Sequence, residues 1–272
     1  MSGSRRIVVR ISLAAVAIAH LVPFYLLLSL ATRSPGSTGT IWVPQFAVHW
    51  ANVTEAWTAA RLGPSLVNTL VITVVAVVVS AVLGLCAAYP LARRVTRVNS
   101  TIMSAIIAGM MVPNLTILVP LYGFMVQIHG VNHRWAVILL HITFNLPLIV
   151  FLYTGALRGV PRELDEAAAI DGAGLFRTLF QVIAPVLKPT TAAVVVIVGV
   201  AIWNDFNFSV FFLQAPDVRT VTVSMQAFFS QYNVYVERAA AGSIVSSLPM
   251  VVLFLALQKY FVKGLASGAV KG

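Results

Sequence analysis

Long apolar runs separated by short polar segments dominate the chain. A helix that crosses a bilayer needs about 20 mostly apolar residues, and six runs meet that requirement. They lack the period-two alternation of transmembrane β-strands. The pattern therefore predicts an all-α fold, a polytopic membrane protein with six transmembrane helices. The predicted spans are Ile7–Ala31, Ser65–Ala92, Ser100–Val126, Trp135–Leu157, Thr190–Leu213 and Ala241–Val262.

The first apolar run has a second interpretation, as a cleaved signal peptide. It is longer than the roughly 7–15-residue apolar region of a signal peptide, and no clear Ala-x-Ala cleavage site follows it. We therefore predict that it is retained as a membrane anchor.

Composition strengthens the membrane prediction. Of the 272 residues, 59% are hydrophobic and only 10% are charged, whereas soluble domains carry about 25% charged residues. This number of charged residues is too small to cover a water-exposed surface. We therefore expect lipid to cover much of the protein surface. The single cysteine, Cys86, excludes an internal disulfide and a cysteine-rich metal site.

The positive charges predict the orientation in the membrane. The segments 1–10, 93–99, 158–189 and 259–272 hold 13 of the 18 Lys and Arg residues, and such residues are concentrated in cytoplasmic loops. Both termini are therefore expected in the cytoplasm. The net charge of +10 is spread over short clusters rather than one basic face, so no nucleic-acid partner is expected.

The outer segment 219–237 has helical apolar spacing with polar residues between. An amphipathic helix at the membrane interface is predicted there, either capping the bundle or lying inert on it. The apolar positions are Val221, Met225, Phe228, Phe229 and Tyr232.

The cytoplasmic loop 158–189 is the most informative segment. Four of the eight acidic residues lie between Glu163 and Asp171, where they favour a helix N-terminus, and Pro161 suits its first turn. Gly172 can take the left-handed conformation that ends a helix. The loop is therefore predicted to begin with one short helix that ends near Gly172.

A second short helix is predicted from about Leu175 to Ile183, closed by Pro185. Its apolar face would be formed by Phe176, Leu179, Phe180 and Ile183. The small residues Ala167–Ala169 of the first helix let another surface approach closely, as in a helix that inserts into a partner's groove. From these features alone, a docking element and a solvated amphipathic loop are equally good interpretations.

The loop resembles the EAA motif of binding-protein-dependent ABC importer permeases. Glu166-Ala-Ala is followed after three residues by Gly172, and Pro185 stands where the family has its proline. Val182 and Ala184 replace the family's Ile and Leu, which are mild departures. The fuller string Glu-Ala-Ala-x-Ile-Asp-Gly-Ala is typical of the carbohydrate-type permeases.

Two further strings support the resemblance. The segment 260–272 is similar to the C-terminus of the maltose-permease second subunit and its relatives, and Trp203-Asn-Asp-Phe206 matches a common string of that group. The resemblance to a carbohydrate-type ABC importer permease covers nearly the whole chain.

The resemblance implies an ABC type I importer permease fold, with residues 1–272 forming a single transmembrane permease domain. It places a coupling loop at 158–189 and a cytoplasmic tail at 263–272, in the bacterial cytoplasmic (inner) membrane. The implied partners are a second homologous permease subunit, two ATP-binding ABC subunits, an extracytoplasmic solute-binding protein, a sugar substrate and membrane lipid. ATP and Mg would be bound by the partner ATPase subunits, with no cofactor in this subunit.

Roles for individual residues follow from the same resemblance. The residues assigned to ATPase coupling are Glu163, Asp165, Glu166, Ala167, Ala168, Asp171, Gly172, Phe176 and Pro185. The tail would add contacts to the ATPase through Ser267, Gly268 and Lys271.

A candidate substrate pathway lies in the fifth span. Asp205 is the one acid placed deep in a span, and such groups usually face the bundle interior. It contacts a sugar hydroxyl, or it makes a structural hydrogen bond between helices or lies near the outer end of the span, and the sequence does not separate these readings. The pathway candidates are Trp203, Asn204, Asp205 and Asn207.

Other classes of function find less support. An ion-coupled secondary transporter would need paired intramembrane ionisable groups and internal repeats, but only Asp205 is available. The sequence holds no Gly-x-x-x-x-Gly-Lys-Ser/Thr string and no supported catalytic arrangement, so no enzyme activity is expected. His129 and His133 are four residues apart, but Gly130 between them makes a metal site improbable.

Overall fold

Helices form most of the structure among the residues described. The computed structural model describes residues 3–37, 39–43, 45, 48–229 and 235–269. The α-helices are α1 Gly3–Ala31, α2 Ala51–Ala59, α3 Leu62–Arg93, α4 Arg97–Gly109, α5 Leu118–Gln127, α6 Arg134–Arg158, α7 Glu163–Ile170, α8 Leu175–Val186, α9 Lys188–Trp203, α10 Asn207–Phe212, α11 Val221–Ser224 and α12 Val236–Ala269. The all-α prediction is confirmed.

Four helices among the described residues are individually long and apolar enough to cross a bilayer. They are Ile7–Ala31, Leu62–Arg93, Arg134–Arg158 and Val236–Lys259. These correspond to the first, second, fourth and sixth predicted spans. The third and fifth predicted spans are interrupted in the structure, each by a break or bend between shorter helices.

The third span breaks at Pro113. Helix α4 ends at Gly109, and a 3-10 turn, Asn114–Ile117, leads into α5. Pro113 has extended backbone, with φ −67° and ψ 124°, and proline also disfavours helical geometry in the residue before it. Hydropathy alone did not reveal this break because the flanking residues stay apolar.

The fifth span is bent at one end and broken at the other. Helices α8 and α9 meet at an 80° bend and pass the spanning test only as a pair. At the other end α9 stops at Trp203, and α10 starts at Asn207. The polar residues between them leave the helix and bond to neighbouring backbone instead, as Asn and Asp readily do.

The long amphipathic helix predicted for 219–237 is absent from the described part of that segment. Its described residues form α11, a 3-10 turn, Met225–Phe228, and the first two residues of α12. Val221 and Phe228 are buried, so part of the apolar face turns into the protein and not toward lipid. Tyr232 lies outside the described residues.

The chain divides into two compact units. The first comprises Met1–Leu66 and Ser224–Leu248. There the buried amide of Asn52 donates to the carbonyls of Ala31 and Arg33 at 2.9 and 2.7 Å, which satisfies backbone groups just after α1.

The second unit comprises Val67–Val223 and Pro249–Gly272. Helices α3 and α6 approach closely where Gly84 faces Ile149, and a Cβ on Gly84 would collide with the Ile149 side chain. In a membrane, such small residues let helices gain dispersion energy by close packing. The loop 158–189 belongs to this unit.

Candidate coupling site

Helix α7 ends next to Gly172, where the sequence predicts a left-handed residue. Gly172 has a φ of +70°, and its N–H donates to the Ala169 carbonyl at 3.1 Å. The Ala173 N–H reaches back to the Ala168 carbonyl at 2.9 Å. These two bonds satisfy the free carbonyls of the last turn, the arrangement that a left-handed glycine makes possible. The predicted first helix of the loop is confirmed, although it begins at Glu163 and Pro161 lies before it.

Helix α8 differs from the prediction. It continues past Ile183 to Val186, so Pro185 lies inside it and does not close it. The turns from Thr178 to Ile183 are of the wider π type. Wide turns accommodate Pro185 because its ring would clash with the carbonyl four residues earlier in a regular α-helix.

The wide turns also change which residues share a face. Leu179 and Ile183 are buried, but Phe176 is 70% exposed and Phe180 is exposed as well. The predicted common apolar face of α8 was therefore wrong. Phe176 instead joins the exposed surface of the loop.

Large apolar side chains are exposed on α7 and at the start of α8. Ile170 is 87% exposed and Leu175 is 62% exposed, and Glu166 and Ala167 are exposed beside them in the sequence. We call the set Glu166, Ala167, Ile170, Leu175 and Phe176 the docking face. Glu163, Asp171, Gly172 and Pro185 are exposed too.

The opposite side of α7 packs against the protein. Ala168 is buried, and Leu164 contacts the apolar core. Asp165 also turns inward: Tyr89 donates its hydroxyl to Oδ1 of Asp165, and Nη2 of Arg93 lies 2.6 Å from Oδ2. Asp165 and Ala168, which the motif groups with the docking residues, thus lie on the inner side of α7.

Arg93 is the main functional candidate that sequence reasoning missed. Its Nη1 donates to the carbonyls of Leu157 and Val160 at 3.1 and 2.8 Å, and the Arg93 carbonyl accepts from Arg162 Nη2 at 3.1 Å. In the sequence, Arg93 belongs to a short basic cluster that serves only to predict the orientation in the membrane. No local signal pairs it with an acid in a distant loop.

The tail residues are described only in part. Ser267 and Gly268 lie on the last turns of α12, but their surroundings fall outside the described side chains. Lys271 lies outside the described residues.

Asp205 is bonded within the protein. Its carboxylate accepts hydrogen bonds from the N–H groups of Phe208 and Ser209 at 3.2 and 3.0 Å, and from the Ser209 hydroxyl at 2.9 Å. Nε2 of His141 lies 3.7 Å from Oδ2. Asp205 therefore caps the first turn of α10, the role that Asp commonly plays at helix N-termini.

The other pathway candidates are placed differently. Trp203 is buried, so its ring presents no face to a solute in this conformation. Asn204 and Asn207 are exposed, although Asn204 donates its amide to the Val200 carbonyl at 2.9 Å. Of the four pathway candidates, Asn207 and Asn204 are therefore the ones with exposed side chains, and the Asn204 amide already has one backbone partner.

Comparison with known proteins places the chain in a family. Residues 80–267 match the family described as "Binding-protein-dependent transport system inner membrane component". The chain is 45% identical to the melibiose/raffinose/stachyose import permease protein MelC of Bacillus subtilis (strain 168), over 95% of this chain and 94% of that protein. It is 33% identical to the probable starch degradation products transport system permease protein AmyC of Thermoanaerobacterium thermosulfurigenes, over 92% and 91%.

The fold has a counterpart among solved structures. A chain of a bacterial ABC transporter involved in the import of the acidic polysaccharide alginate matches with a TM-score of 0.82 and 19% identity, covering 96% of this chain and 99% of that one. The match supports the fold expected from the resemblance. The sequence matches show that this chain belongs to the inner membrane components of binding-protein-dependent transport systems, a family of transport subunits and not of enzymes.

Proposed function

We propose that this chain imports a carbohydrate across the bacterial cytoplasmic membrane, and that ATP hydrolysis in separate subunits drives the import through the docking face. The observation that carries the proposal is the exposure of Ile170, Leu175 and Phe176 on a single loop. Membership of the transport family argues against the alternative of an ion-coupled secondary transporter.

The docking face has the composition of a protein contact. Contiguous exposed apolar surface on a soluble region usually marks an interaction site. Here large apolar side chains accompany small ones, and Glu163 and Glu166 add negative charge in the first turn of α7. A short helix of this kind fits a groove on a partner, and we assign that groove to the ATP-binding subunit. ATP and Mg would be bound there.

The remaining partners follow from the family. A second homologous permease subunit would complete the translocation pathway, and an extracytoplasmic solute-binding protein would deliver the solute. The charge distribution supports a cytoplasmic location of both termini and of the coupling loop. Residues 1–272 then act as one permease domain.

The proposed substrate class comes from the relatives. MelC is named for melibiose, raffinose and stachyose, and AmyC for starch degradation products, and all of these are carbohydrates. Exposed amides such as Asn207 suit a sugar because they can both donate and accept hydrogen bonds from hydroxyl groups.

The test is reconstitution with defined partners. The chain is co-expressed with its second permease and ATP-binding subunits, purified, and placed in proteoliposomes with the binding protein. We expect sugar uptake that needs ATP and survives dissipation of ion gradients by ionophores. Uptake by this chain alone, or uptake abolished by ionophores while ATP is present, would contradict the proposal.

A matched pair of variants tests the docking face in the same preparation. Phe176→Ser should weaken co-purification of the ATP-binding subunits, whereas Phe229→Ser should leave it unchanged. Phe229 is also well exposed, at 59%, but lies in the segment assigned to the outer side. Equal retention of the ATP-binding subunits by both variants would remove the docking role.

A further inference from the structure

We propose that Arg93 is the positioning residue that passes movement of α7 on to the cytoplasmic ends of α3 and α6. The inference rests on the proposed ATPase coupling, since it concerns where movement of the docking face goes next. Arg93 is the last residue of α3. Its side chain reaches both the loop helix and the end of α6.

One guanidinium group makes both connections. Nη2 contacts the Asp165 carboxylate of α7 at 2.6 Å, and Nη1 holds the Leu157 and Val160 carbonyls at the end of α6. Guanidinium is planar and carries its donors in fixed directions. A displacement of Asp165 therefore turns the same rigid group that holds the end of α6, and pulls on the last turn of α3.

Two further bonds strengthen the attachment of α7 to α3. The Tyr89 hydroxyl, one turn before Arg93, donates to the second oxygen of Asp165. Arg162, which precedes α7, donates to the backbone carbonyl of Arg93. The start of α7 is thus held to α3 through side chains and through backbone.

Burial makes this connection stiff. The side chains of Arg93 and Asp165 are only 12% and 20% exposed. Exposed ion pairs open with little change in free energy, whereas separation of a largely buried pair leaves charges without a partner and away from water. Helix α7 is therefore expected to move together with the end of α3.

The chain offers a control at the next position. Arg94 carries the same charge, but its side chain is exposed and lines a cavity of about 250 Å³ with Arg158, Thr96 and Ser104, not with α7. Arg94→Gln removes one positive charge from the same cluster without touching Asp165.

The test uses the complete transporter in proteoliposomes with its binding protein. We expect Arg93→Gln to retain the ATP-binding subunits and their hydrolysis, but to import about tenfold less sugar per ATP, within the roughly 5–150-fold range of coupling between distant sites. Arg94→Gln should match the unmodified protein. Unchanged import per ATP in Arg93→Gln would overturn the inference and leave the docking role in place.

Two variants separate positioning from folding. Tyr89→Phe removes one hydrogen bond and should lower import per ATP by about fivefold, the equivalent of one typical hydrogen bond. The exchange Arg93→Asp with Asp165→Arg restores opposite charges but cannot donate to Leu157 and Val160. It should therefore recover import per ATP only in part, and full recovery would overturn the link to α6.

A distance measurement reads the movement directly. With Cys86→Ala as background, spin labels at Val95 and Ala169, both exposed, report the separation of the end of α3 from α7 in the full complex. We expect ATP to leave that distance unchanged in the unmodified protein and to change it in Arg93→Gln. An ATP-dependent change of equal size in both would overturn the inference.

Failure of the docking proposal is recognised separately, because Phe176→Ser would then retain its ATP-binding subunits.

Discussion

On α7, one face carries exposed charged and apolar side chains, and the opposite face is bonded to α3 through Asp165. At the break between α9 and α10 the polar side chains are instead used mainly by the adjacent backbone, as with Asp205 and Asn204. The first region therefore leaves large apolar side chains exposed, while the second uses most of its polar side chains to support its own fold.

The largest effect is expected on the docking face. Ile170→Asp places a charge where an apolar anchor would be buried in the partner, and loss of such an anchor typically costs about 2 kcal/mol or more. This corresponds to roughly 30-fold weaker binding of the ATP-binding subunit. Titration of that subunit onto the permease in nanodiscs measures it.

Val95→Asp is the matched control for this change. Val95 is 88% exposed and lies next to the end of α3, outside the docking face. If both variants lose affinity equally, net charge and not the docking face determines binding, and the contrast between the two regions disappears.

The next effect concerns the end of α7. Gly172→Ala forces a side chain into left-handed backbone, at a cost of about 1–2 kcal/mol. Hydrogen exchange at the Ala173 amide, which bonds to the Ala168 carbonyl, should accelerate accordingly. Gly172→Asn should show a smaller change because Asn tolerates this conformation, and identical rates for the two variants would show that backbone strain does not control the end of the helix.

A smaller loss is expected at the break. Asp205→Ala removes the cap of α10 and should destabilise the protein by about 1 kcal/mol, seen as a lower Tm in detergent. Asp205→Asn should keep both Tm and import, since Asn is an equally good cap. Import lost in Asp205→Asn at unchanged Tm would reassign the carboxylate to the solute pathway.

The smallest effect is expected at Asn207. Its side chain is exposed, so Asn207→Ala should leave stability within about 0.5 kcal/mol. If a sugar hydroxyl contacts it, the KM of import should rise by about threefold, toward the lower end of what one hydrogen bond contributes because the site is exposed to water. Gln226→Ala, an exposed amide outside the fifth span, is the control, and an equal rise in both variants would argue against a specific contact.

The features that the sequence predicted correctly depend on interactions between residues that are close together in the chain. Gly172, the acidic start of α7 and the long apolar runs act through neighbouring residues, so their consequences are readable in the chain. The motif-based assignment included the exposed Glu166, Ala167 and Phe176, but also Asp165 and Ala168, which face inward. It did not include the exposed Ile170 and Leu175.

The missed features depend on distant partners. Tyr89 and Asp165 are separated by 76 positions, and nothing near Arg93 indicates which acid it meets. The break before α10 was hidden because hydropathy averages over a window, while capping by Asp205 depends on one side chain.

The interruption at Pro113 has a consequence for what surrounds the third span. Helix α4 has 13 residues, a length of about 20 Å, against a hydrocarbon thickness of about 30 Å. Non-helical backbone at membrane depth is tolerated only where it is covered by protein or hydrated. The face containing Met111 and Val112, both exposed, therefore borders water or another polypeptide, and acyl chains are excluded from it.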